Sequence, residues 1–479
     1  MTSGASTAIA QTDSSSTAAA QEEAGDVEAI TITGIRRSLR SSADFKRGKT
    51  AVVDSISSED LGKFPDTNVA ESLQRITGLA ITRTRGGEGQ FVTVRGLGEE
   101  FNAVTYNGRL LATENNGREF SFDVIASELI AGAEVYKSPT ASQGDGSLGG
   151  RINLRPSMPL DNPGIRMAAS VSGQYESLAE TVGPRASGVA SFTTWGDKIG
   201  ILGSFSYQRR EARSDVAEST FLVNDIQVDE NGVAGATIDQ DGDGMNDTTG
   251  ARILTNDGRF NGFATSLVEQ ERERIGGTAA IQFRPVKNFT LTVDGLYTAF
   301  RAPSTQFSYS YFPTLADASR TSAMAVLNNA NQIVSHVTTP FATDFVVREN
   351  EADTETFAVG ANADWRINDK ASFKLDLAFS RSDGQRDNLG SASGSGGFFV
   401  IGYPDGAFSQ SFTGRPVPDV NFTAANTPMG QQVQFSQLDP ADARLHFSRN
   451  DFVRVEDEIL SARGDFDLRF AEGWKGSLG

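Results

Sequence analysis

An acidic segment of the chain has the spacing of a calcium-binding loop. Four aspartates occupy positions one, three, five and nine of the pattern: Asp239, Asp241, Asp243 and Asp247. Gly244 stands at position six, where such loops turn sharply, but Gly250 replaces the bidentate glutamate of position twelve. Two interpretations stay open. The segment is a structural Ca²⁺ site of lowered affinity in a surface loop, or it is a solvated acidic loop, since residues 211–272 carry thirteen acidic residues against four basic ones.

Other kinds of chemistry find little support in the composition. The chain has no cysteine, which excludes disulfides, thiolate metal ligands and thiol nucleophiles. Its two histidines, His336 and His446, fit ordinary loop positions, and no nucleophile–histidine–acid set, paired-carboxylate cleft or phosphate-binding loop stands out. A formal net charge of −18 argues against nucleic acid as a partner. The sequence therefore predicts a protein that is not an enzyme and has no cofactor apart from the calcium considered above.

Aromatic side chains cluster in two polar stretches of the second half. The first group is Tyr309, Tyr311 and Phe312, and the second is Phe398, Phe399, Tyr403 and Phe408. Rings on outer loops can stack on the weakly apolar C–H faces of sugars. Packing of the loops on one another is the alternative for any single ring.

The stretch from Phe91 to Arg109 organises the elements around these residues. A short strand ends at Gly96, and a second strand, Ala103 to Tyr106, runs into Asn107-Gly108, the strongest two-residue hairpin signal. Upstream stands KFPDTNVAESLQRITGL, and downstream stand EVYKSPTA and LGGRINL. In this order the series resembles the plug domain of TonB-dependent outer-membrane receptors, over roughly Glu28 to Pro156. The RGLG-EEFN, FSFDVIASELI and EVYKSPTA runs are most similar to the branch common in carbohydrate-scavenging proteobacteria.

Local patterns predict the elements of an α+β plug over residues 51–158. Strands are expected at Thr50–Ile56, Leu79–Thr84, Ala133–Tyr136 and Arg151–Leu154. Asp66 is a plausible N-cap for a helix that stops at Gly78, and a second helix is expected from about Asp123 to Ile130.

The resemblance also implies roles for particular residues. The isolated alternating segment Glu28, Ala29, Ile30, Thr31, Ile32, Thr33, Gly34 stands where the family has its TonB box, which pairs as an added strand with the coupling protein TonB. The alternative is the first strand of the plug. A basic, serine-rich spacer up to residue 50 follows it and favours the box.

Structural positions of the plug follow from the same resemblance: Arg95, Gly96, Asn107, Gly108, Lys137, Gly149 and Gly150. In the family, basic plug residues at turns such as those of Arg95 and Lys137 pair with acids of the barrel wall. Candidate partners on lumen-facing positions are Asp294, Asp364, Asp376, Asp465 and Asp467. Ligand contacts are expected from the apex loop, at Asn115, Asn116 and Arg118, and from Tyr309, Tyr311 and Phe312.

After residue 158 the pattern changes to apolar–polar alternation with period two. It runs through Ile165–Tyr175, Ala186–Trp195, Ile199–Gln208, Ile275–Arg284, Phe289–Ala299, Phe357–Ile367, Phe373–Phe379 and Leu460–Phe470. Short turns alternate with long connections at 211–272, 301–355 and 383–455, and aromatic residues stand beside the short turns. Strand lengths of about 10–13 residues suit tilted membrane strands. We therefore expect an antiparallel transmembrane β-barrel rather than a soluble sandwich, with eight strands and a ninth beginning at Lys475, of the 22 strands of a plugged transporter.

The start of the chain is small and polar, and residues 1–27 are expected to be disordered. Ala8-Ile9-Ala10 has the form of a secretory cleavage site, either the remnant of a signal peptide or a chance feature of an alanine-rich tail. Residues 28–50 then hold the box and linker, 51–158 the plug, and 159–479 the N-terminal part of a barrel. Because the last strand breaks off, the chain is expected to be part of a longer protein.

The resemblance implies TonB-dependent active transport across the outer membrane of a Gram-negative bacterium. Its partners would be TonB with its proton-driven inner-membrane complex, outer-membrane lipid, and a ligand, of which an oligosaccharide is the first choice. A ferric siderophore or other iron chelate is the alternative within transport. A surface receptor or adhesin without transport is the alternative from another class.

Overall fold

The computed structural model describes two interlocking parts of the chain. The structure describes residues 45–49, 51–57, 68–138, 140, 143–144, 146–219, 263–312, 341–386, 453–471 and 474–478. It also describes short strand segments within 222–260, 322–338 and 395–449. The proposed TonB box (28–34) and the calcium-like loop (239–247) lie outside the described residues. The first part, residues 53–155, is called the plug below. The second, from residue 165 onward, is called the wall.

The plug is built on a small mixed sheet. Its strands are β1 (Val53–Ser57), β2 (Leu79–Arg83), β3 (Gly89–Val94), β4 (Asn102–Tyr106), β5 (Arg109–Leu110), β6 (Gly132–Tyr136) and β7 (Gly150–Arg155). Five of them form a sheet in the order β1-β6-β7-β4-β5, in which β4 and β7 are parallel, while β2 and β3 form a separate hairpin. The β4–β5 hairpin turns at Asn107 (φ 50°) and Gly108 (φ 84°), as the sequence predicts.

The plug contains one short α-helix in its described residues, α1 (Val69–Leu73), and its cap differs from the prediction. Asn68 caps the helix, and its side-chain oxygen accepts a hydrogen bond from the backbone N of Ala70 at 2.8 Å. Asp66, the predicted cap, lies outside the described residues. The helix still places Val69 and Leu73 in the core with no exposure.

The predicted helix from Asp123 to Ile130 is wrong. Two 3₁₀ turns stand there instead, Phe122–Val124 and Ser127–Leu129, separated by extended residues. Every residue from 120 to 127 is buried, whereas a regular surface helix keeps one face in solvent. Tight turns allow consecutive side chains to point into the core on several sides. The core of the plug is centred on this segment and includes Phe122, Ile125, Ile130, Ile152 and Leu154.

Over its described residues, the wall is one antiparallel sheet of thirteen strands. Its strands are β8 (Ile165–Glu176), β9 (Thr181–Thr194), β10 (Ile199–Ser219), β11 (Phe263–Val286), β12 (Phe289–Arg301), β13 (Ser304–Phe312), β14 (Phe341–Asn350), β15 (Ala352–Arg366), β16 (Ala371–Arg386), β17 (Ser395–Tyr403), β18 (Arg444–Arg449), β19 (Val453–Ala471) and β20 (Trp474–Leu478). The upper part of β11 pairs with β13 and its lower part with β12, so β12 and β13 continue each other across Ala302-Pro303. The ninth strand that the sequence predicts is β20, paired with β19.

Among the described residues, ten shorter strands lie between wall strands in the sequence and form separate small sheets. They are Leu222–Val223, Ile226–Val228, Arg252–Leu254, Arg259–Phe260, Ser322–Leu327, Ile333–Thr338, Ala407–Ser411, Asp419–Thr423, Ala425–Asn426 and Gln432–Val433.

The two faces of the wall differ as the alternation predicts. On the inner face, toward the plug, polar residues such as Thr278, Gln282 and Thr298 are buried. On the outer face apolar residues are exposed, among them Val171 (85%) and Leu460 (84%). A sheet that exposes its apolar face and buries its polar face is arranged for lipid outside and a polar interior inside.

The long connections are shorter than predicted. Strand β10 extends to Ser219 and β11 begins at Phe263, so both strands enter the predicted loop 211–272; β13, β14 and β16 enter the other two loops in the same way. The extension has a physical reason, since Ala212, Arg272 and Arg274 continue the inward alternation and are buried.

The described residues contain no helix that is both long and apolar enough to span a membrane.

Candidate functional site

A buried arginine of the plug joins two strands of the wall. Arg109 Nη1 lies 2.7 Å from Asp294 Oδ1 on β12, and its Nε and Nη2 each lie 2.9 Å from an oxygen of Asp376 on β16. Asn107 adds a hydrogen bond to Asp294 at 3.1 Å. Burial by itself lowers the pKa of Arg109. The hydrogen bond with Asp376 and the charge of Asp294 raise the pKa by more than burial lowers it, so the pKa stands above its usual value and the guanidinium stays charged.

A glycine of the wall makes room for this arginine. Gly360 on β15 lies between the strands of the two aspartates and pairs with Asp294 across the sheet. A Cβ built on Gly360 would overlap the Arg109 guanidinium. The close approach of plug and wall at this level therefore requires the absence of a side chain.

A second buried cluster has the opposite polarity, because the plug supplies the carboxylates. Glu88, in the turn between β2 and β3, lies 3.2 Å from Arg210, 3.4 Å from Arg272 and 3.2 Å from Arg274. Asp123 of the plug binds Arg272 at 2.8 Å, and its carbonyl accepts from Arg274 at 2.5 Å. The carboxylates are thus held by guanidinium groups of β10 and β11.

The cluster keeps Glu88 ionised although it is buried. Burial alone raises the pKa of Glu88, but the charges of Arg274, Arg272 and Arg210 outweigh it and lower the pKa to about 2. The centre of the Phe300 ring lies 5.0 Å from the guanidinium carbon of Arg272 and 5.2 Å from that of Arg274. Both guanidinium groups therefore make a cation–π contact with this ring. A buried charge is costly unless it has a partner of opposite charge, and these contacts supply such partners for the carboxylates and the guanidinium groups.

A third contact has the same polarity as the second. Arg185 of β9 forms an ion pair with Glu128 of the plug and donates to Ser127 Oγ at 3.1 Å. Acidic plug residues therefore face basic residues on three successive wall strands, β9, β10 and β11.

The two basic plug residues named from the resemblance have their described contacts inside the plug. Lys137 lies 2.5 Å from Asp54 and donates to the carbonyl of Thr77 at 2.6 Å. Arg95 is exposed, adopts φ 54° and donates to the carbonyl of Gly149 at 3.0 Å. The expectation of wall partners for Arg95 and Lys137 is therefore wrong within the described residues.

Of the wall aspartates proposed as partners, Asp294 and Asp376 do bind the plug, but through Arg109. Three others have contacts within the wall: Asp364 with Lys374 at 3.3 Å, Asp465 with Arg463 at 2.9 Å, and Asp467 with Ser372 at 3.4 Å. Sequence reasoning also missed Glu88 and its arginine partners. One signal was present, because Arg272 and Arg274 are two residues apart and so share one face of a strand.

The predicted plug glycines lie at tight positions. Gly96 has φ 78°, in the left-handed region that favours glycine. A Cβ on Gly149 would overlap the side chain of Asn102, and one on Gly150 would lie 3.0 Å from Val94 and 3.1 Å from the carbonyl of Tyr136.

The apex loop, residues 112–118, borders a cavity of about 410 Å³ between plug and wall. Asn116 and Arg118 are exposed there, and Arg118 donates to the carbonyl of Gly146 at 2.9 Å. Asn115 is buried, and its amide donates to Thr113, Glu119 and Ser121, so it holds the loop together. The cavity is also lined by Phe120 and, from β19, by Glu456, Asp457 and Ile459.

The structure does not bring Tyr309 to this cavity. On β13, Gln306 and Ser308 point inward and are buried, so Tyr309 lies on the outer face with Phe307. It lines a separate groove with Leu267. Tyr311 and Phe312 belong to the same strand, and their side chains lie outside the described residues. Within the described residues no group of three or more acidic or histidine side chains is arranged to hold a metal ion.

The first part of the chain is similar to a known protein family. Residues 46–151 match the family model of the TonB-dependent receptor plug domain. No curated protein matches the sequence.

Solved structures with a similar arrangement include three transporters or receptors. The unliganded ferric citrate transporter FecA is 12% identical, with 76% of this chain and 61% of that one covered and a TM-score of 0.31. The ferric enterobactin receptor of Pseudomonas aeruginosa, in complex with enterobactin, is 10% identical (88% and 61% covered, TM-score 0.36). The FrpB iron transporter of Neisseria meningitidis is 11% identical (89% and 64% covered, TM-score 0.35). This chain spans about three-fifths of the length of these proteins.

Proposed function

We propose that this chain, whose residues 46–151 match a TonB-dependent receptor plug domain, is part of an active transporter in the outer membrane of a Gram-negative bacterium. The observation that carries the proposal is a plug held by buried polar contacts against a wall whose other face is apolar. Such a plug closes a pore that lipid surrounds. Transport then needs an energy source that moves the plug.

The outer face of the wall supports the membrane placement. The segments Ile199–Tyr207, Ile275–Phe283, Phe289–Tyr297 and Phe357–Trp365 are each nine residues long and present exposed apolar side chains. Charged residues follow within four positions of this band, and they form exposed ion pairs such as Arg209–Glu271 at 2.8 Å and Arg301–Asp353 at 3.2 Å. A tilted membrane strand needs about 9–11 residues, so the band has the height of a hydrocarbon core.

Coupling to TonB is assigned to Glu28–Gly34. An alternating segment before the plug, followed by a basic linker, suits recognition by strand addition, in which backbone hydrogen bonds supply most of the affinity. The partner complex in the inner membrane would supply force derived from the proton gradient.

The ligand proposed is an oligosaccharide. The cavity at the apex loop offers the amide of Asn116, the ring of Phe120 and the carboxylate of Asp457. Amides and carboxylates bind hydroxyl groups, and a ring edge or face packs on sugar C–H groups. A volume of about 410 Å³ suits one or two sugar rings.

An iron chelate is the second candidate. The exposed guanidinium of Arg118 is the feature that favours it, since many iron chelates are anionic and arginine binds carboxylates and catecholate oxygens well. The Asp457 carboxylate on the opposite side of the cavity disfavours an anion, and for that reason the oligosaccharide ranks first. A bound Ca²⁺ in residues 239–247 is a further proposal that would stiffen an outer loop without taking part in transport.

Two experiments test the proposal. Deletion of residues 28–34 should abolish uptake in cells and leave ligand binding by the purified protein unchanged, and uptake that survives the deletion would exclude energised transport. Calorimetric titration with maltotriose, xylotriose and chitotriose, against ferric citrate, decides the ligand class. If only ferric citrate binds, the proposed ligand is an iron chelate and not an oligosaccharide. If a ligand binds but is not taken up by cells, the protein is a surface receptor without transport.

A further inference from the structure

One carboxylate of the wall both holds the apex loop and borders the cavity. Asp457 Oδ2, on β19, accepts a hydrogen bond from the backbone N of Thr113 at 3.1 Å, across 344 residues of sequence. The same side chain lines the cavity beside Asn116 and Arg118. A molecule that enters the cavity therefore meets a group that already has a partner in the plug.

The apex loop is stiff enough to move as a unit. Thr113 Oγ1 donates to the carbonyl of Glu119 at 2.7 Å, and the Asn115 amide donates to both Thr113 and Glu119 at 3.2 and 2.9 Å. Because these bonds close the loop on itself, a displacement of Thr113 is passed to Asn116 and Arg118.

A second tether lies beside the first but outside the cavity. Ser380 Oγ on β16 accepts from the backbone N of Ala112 at 3.0 Å. Ser380 does not belong to the residues that line the apex cavity. The two tethers therefore differ in their access to a ligand. A ligand in the cavity contacts Asp457 but does not reach Ser380 from there.

We infer that Asp457 is the positioning residue through which a ligand loosens the apex loop. A sugar hydroxyl in the cavity donates to the Asp457 carboxylate and competes with the Thr113 N–H, because a hydroxyl reaches the carboxylate from solvent while the amide is held in the loop. Loss of the Thr113 bond leaves Ser380 as the remaining one of these two tethers. The choice of a hydroxyl-bearing ligand rests on the proposed function, but the tether itself does not.

The tether is tested without any ligand, by hydrogen exchange of the full chain in detergent. Asp457→Ala should raise the exchange rate of the Thr113 amide by roughly tenfold, since it removes a charged acceptor. Asp457→Asn keeps an acceptor oxygen and should stay within about threefold of the unaltered protein. Ser380→Ala is the matched control and should accelerate Ala112 rather than Thr113. An unchanged Thr113 rate in Asp457→Ala overturns the tether, whatever the ligand is.

The release step is tested by adding the trisaccharides named above at saturating concentration. Binding with faster exchange at Thr113 supports release, and the acceleration should disappear in Asp457→Ala, whose loop is already loose. Binding that leaves Thr113 as protected as before overturns release. If none of the sugars binds, the oligosaccharide assignment fails, and the ligand-free comparison still decides the tether.

Discussion

Arg109 and Asp294 lie 2.7 Å apart although 185 residues separate them in the sequence. Both side chains are buried, and a second aspartate, Asp376, binds the other edge of the guanidinium. The plug is therefore joined to the wall by a fork of one base and two acids, and neither strand of the wall could shift without breaking one side of it.

Removal of the guanidinium should release this part of the plug. Arg109→Ala leaves Asp294 buried without its charge partner, and breaking a buried pair in this way costs about 3–5 kcal/mol. Limited proteolysis and thermal unfolding of the purified chain would show a plug that is cleaved or melts earlier. The control is Arg301→Ala, which removes the exposed Arg301–Asp353 pair and should cost at most about 1 kcal/mol. Equal effects of the two variants would contradict the assigned role of Arg109.

An added methyl group at Gly360 should have a similar effect by a different route. Its Cβ would occupy the position of the Arg109 guanidinium, which cannot move aside without losing Asp294 or Asp376. We expect Gly360→Ala to destabilise the plug–wall contact by about 1–3 kcal/mol. Gly464→Ala is the matched control, because nothing lies within 4 Å of a Cβ at that position. Thermal unfolding of both variants compares the effects, and a silent Gly360→Ala would show that the two surfaces can separate at no cost.

The Glu88 cluster should make the plug sensitive to acid in a defined pH window. The pKa of Glu88 falls from the ordinary 4.5 to about 2 in the folded protein. A lowered pKa contributes stability that is fully present above the ordinary value and is lost as the pH falls through the folded value. The shift corresponds to roughly 3 kcal/mol. Unfolding followed from pH 6 to pH 2 should show this loss between about pH 4.5 and pH 2.

Glu88→Gln provides the comparison for that titration. The amide cannot ionise, so the variant should be less stable than the unaltered protein at pH 6 and lose less stability on acidification. A variant whose pH profile has the same slope as that of the unaltered protein between pH 4.5 and pH 2 would assign the acid sensitivity to other carboxylates.

The N-terminal strand of the plug should depend on Lys137. This lysine binds Asp54 on β1 at 2.5 Å, and Lys46 binds the same carboxylate at 2.7 Å. Lys137→Ala removes the more buried partner and should accelerate hydrogen exchange in Val53–Ser57 by roughly fivefold or more. Lys46→Ala, which removes the exposed partner, should change it by less than about threefold. If both variants leave β1 protected, the strand is held by its backbone pairing with β6 alone.

Much of the fold follows from local patterns that the sequence displays openly. Alternation with period two depends on a single strand and on the environment of its two faces, so eight strands of the wall, and the start of a ninth, could be predicted with their inward faces. The strands β13, β14, β17 and β18 lie in segments that were predicted as loops. Asn107-Gly108 strongly favours a hairpin turn with two left-handed residues, and the β4–β5 hairpin forms there. The predicted helix at Asp123–Ile130 failed because the complete burial of that segment is a property of the packed plug.

The candidate site depended on the tertiary structure much more strongly. The sequence by itself determined that charged residues lie on the inner face of the wall, because parity alone decides that. It did not determine that Arg109, rather than Arg95 or Lys137, binds Asp294 and Asp376, or that Glu88 lies among Arg210, Arg272 and Arg274. Two charges can pair only if the plug turn that carries one lies at the same height in the wall as the strand residue that carries the other. That height is set by packing over the whole molecule. Only the tertiary structure could decide it.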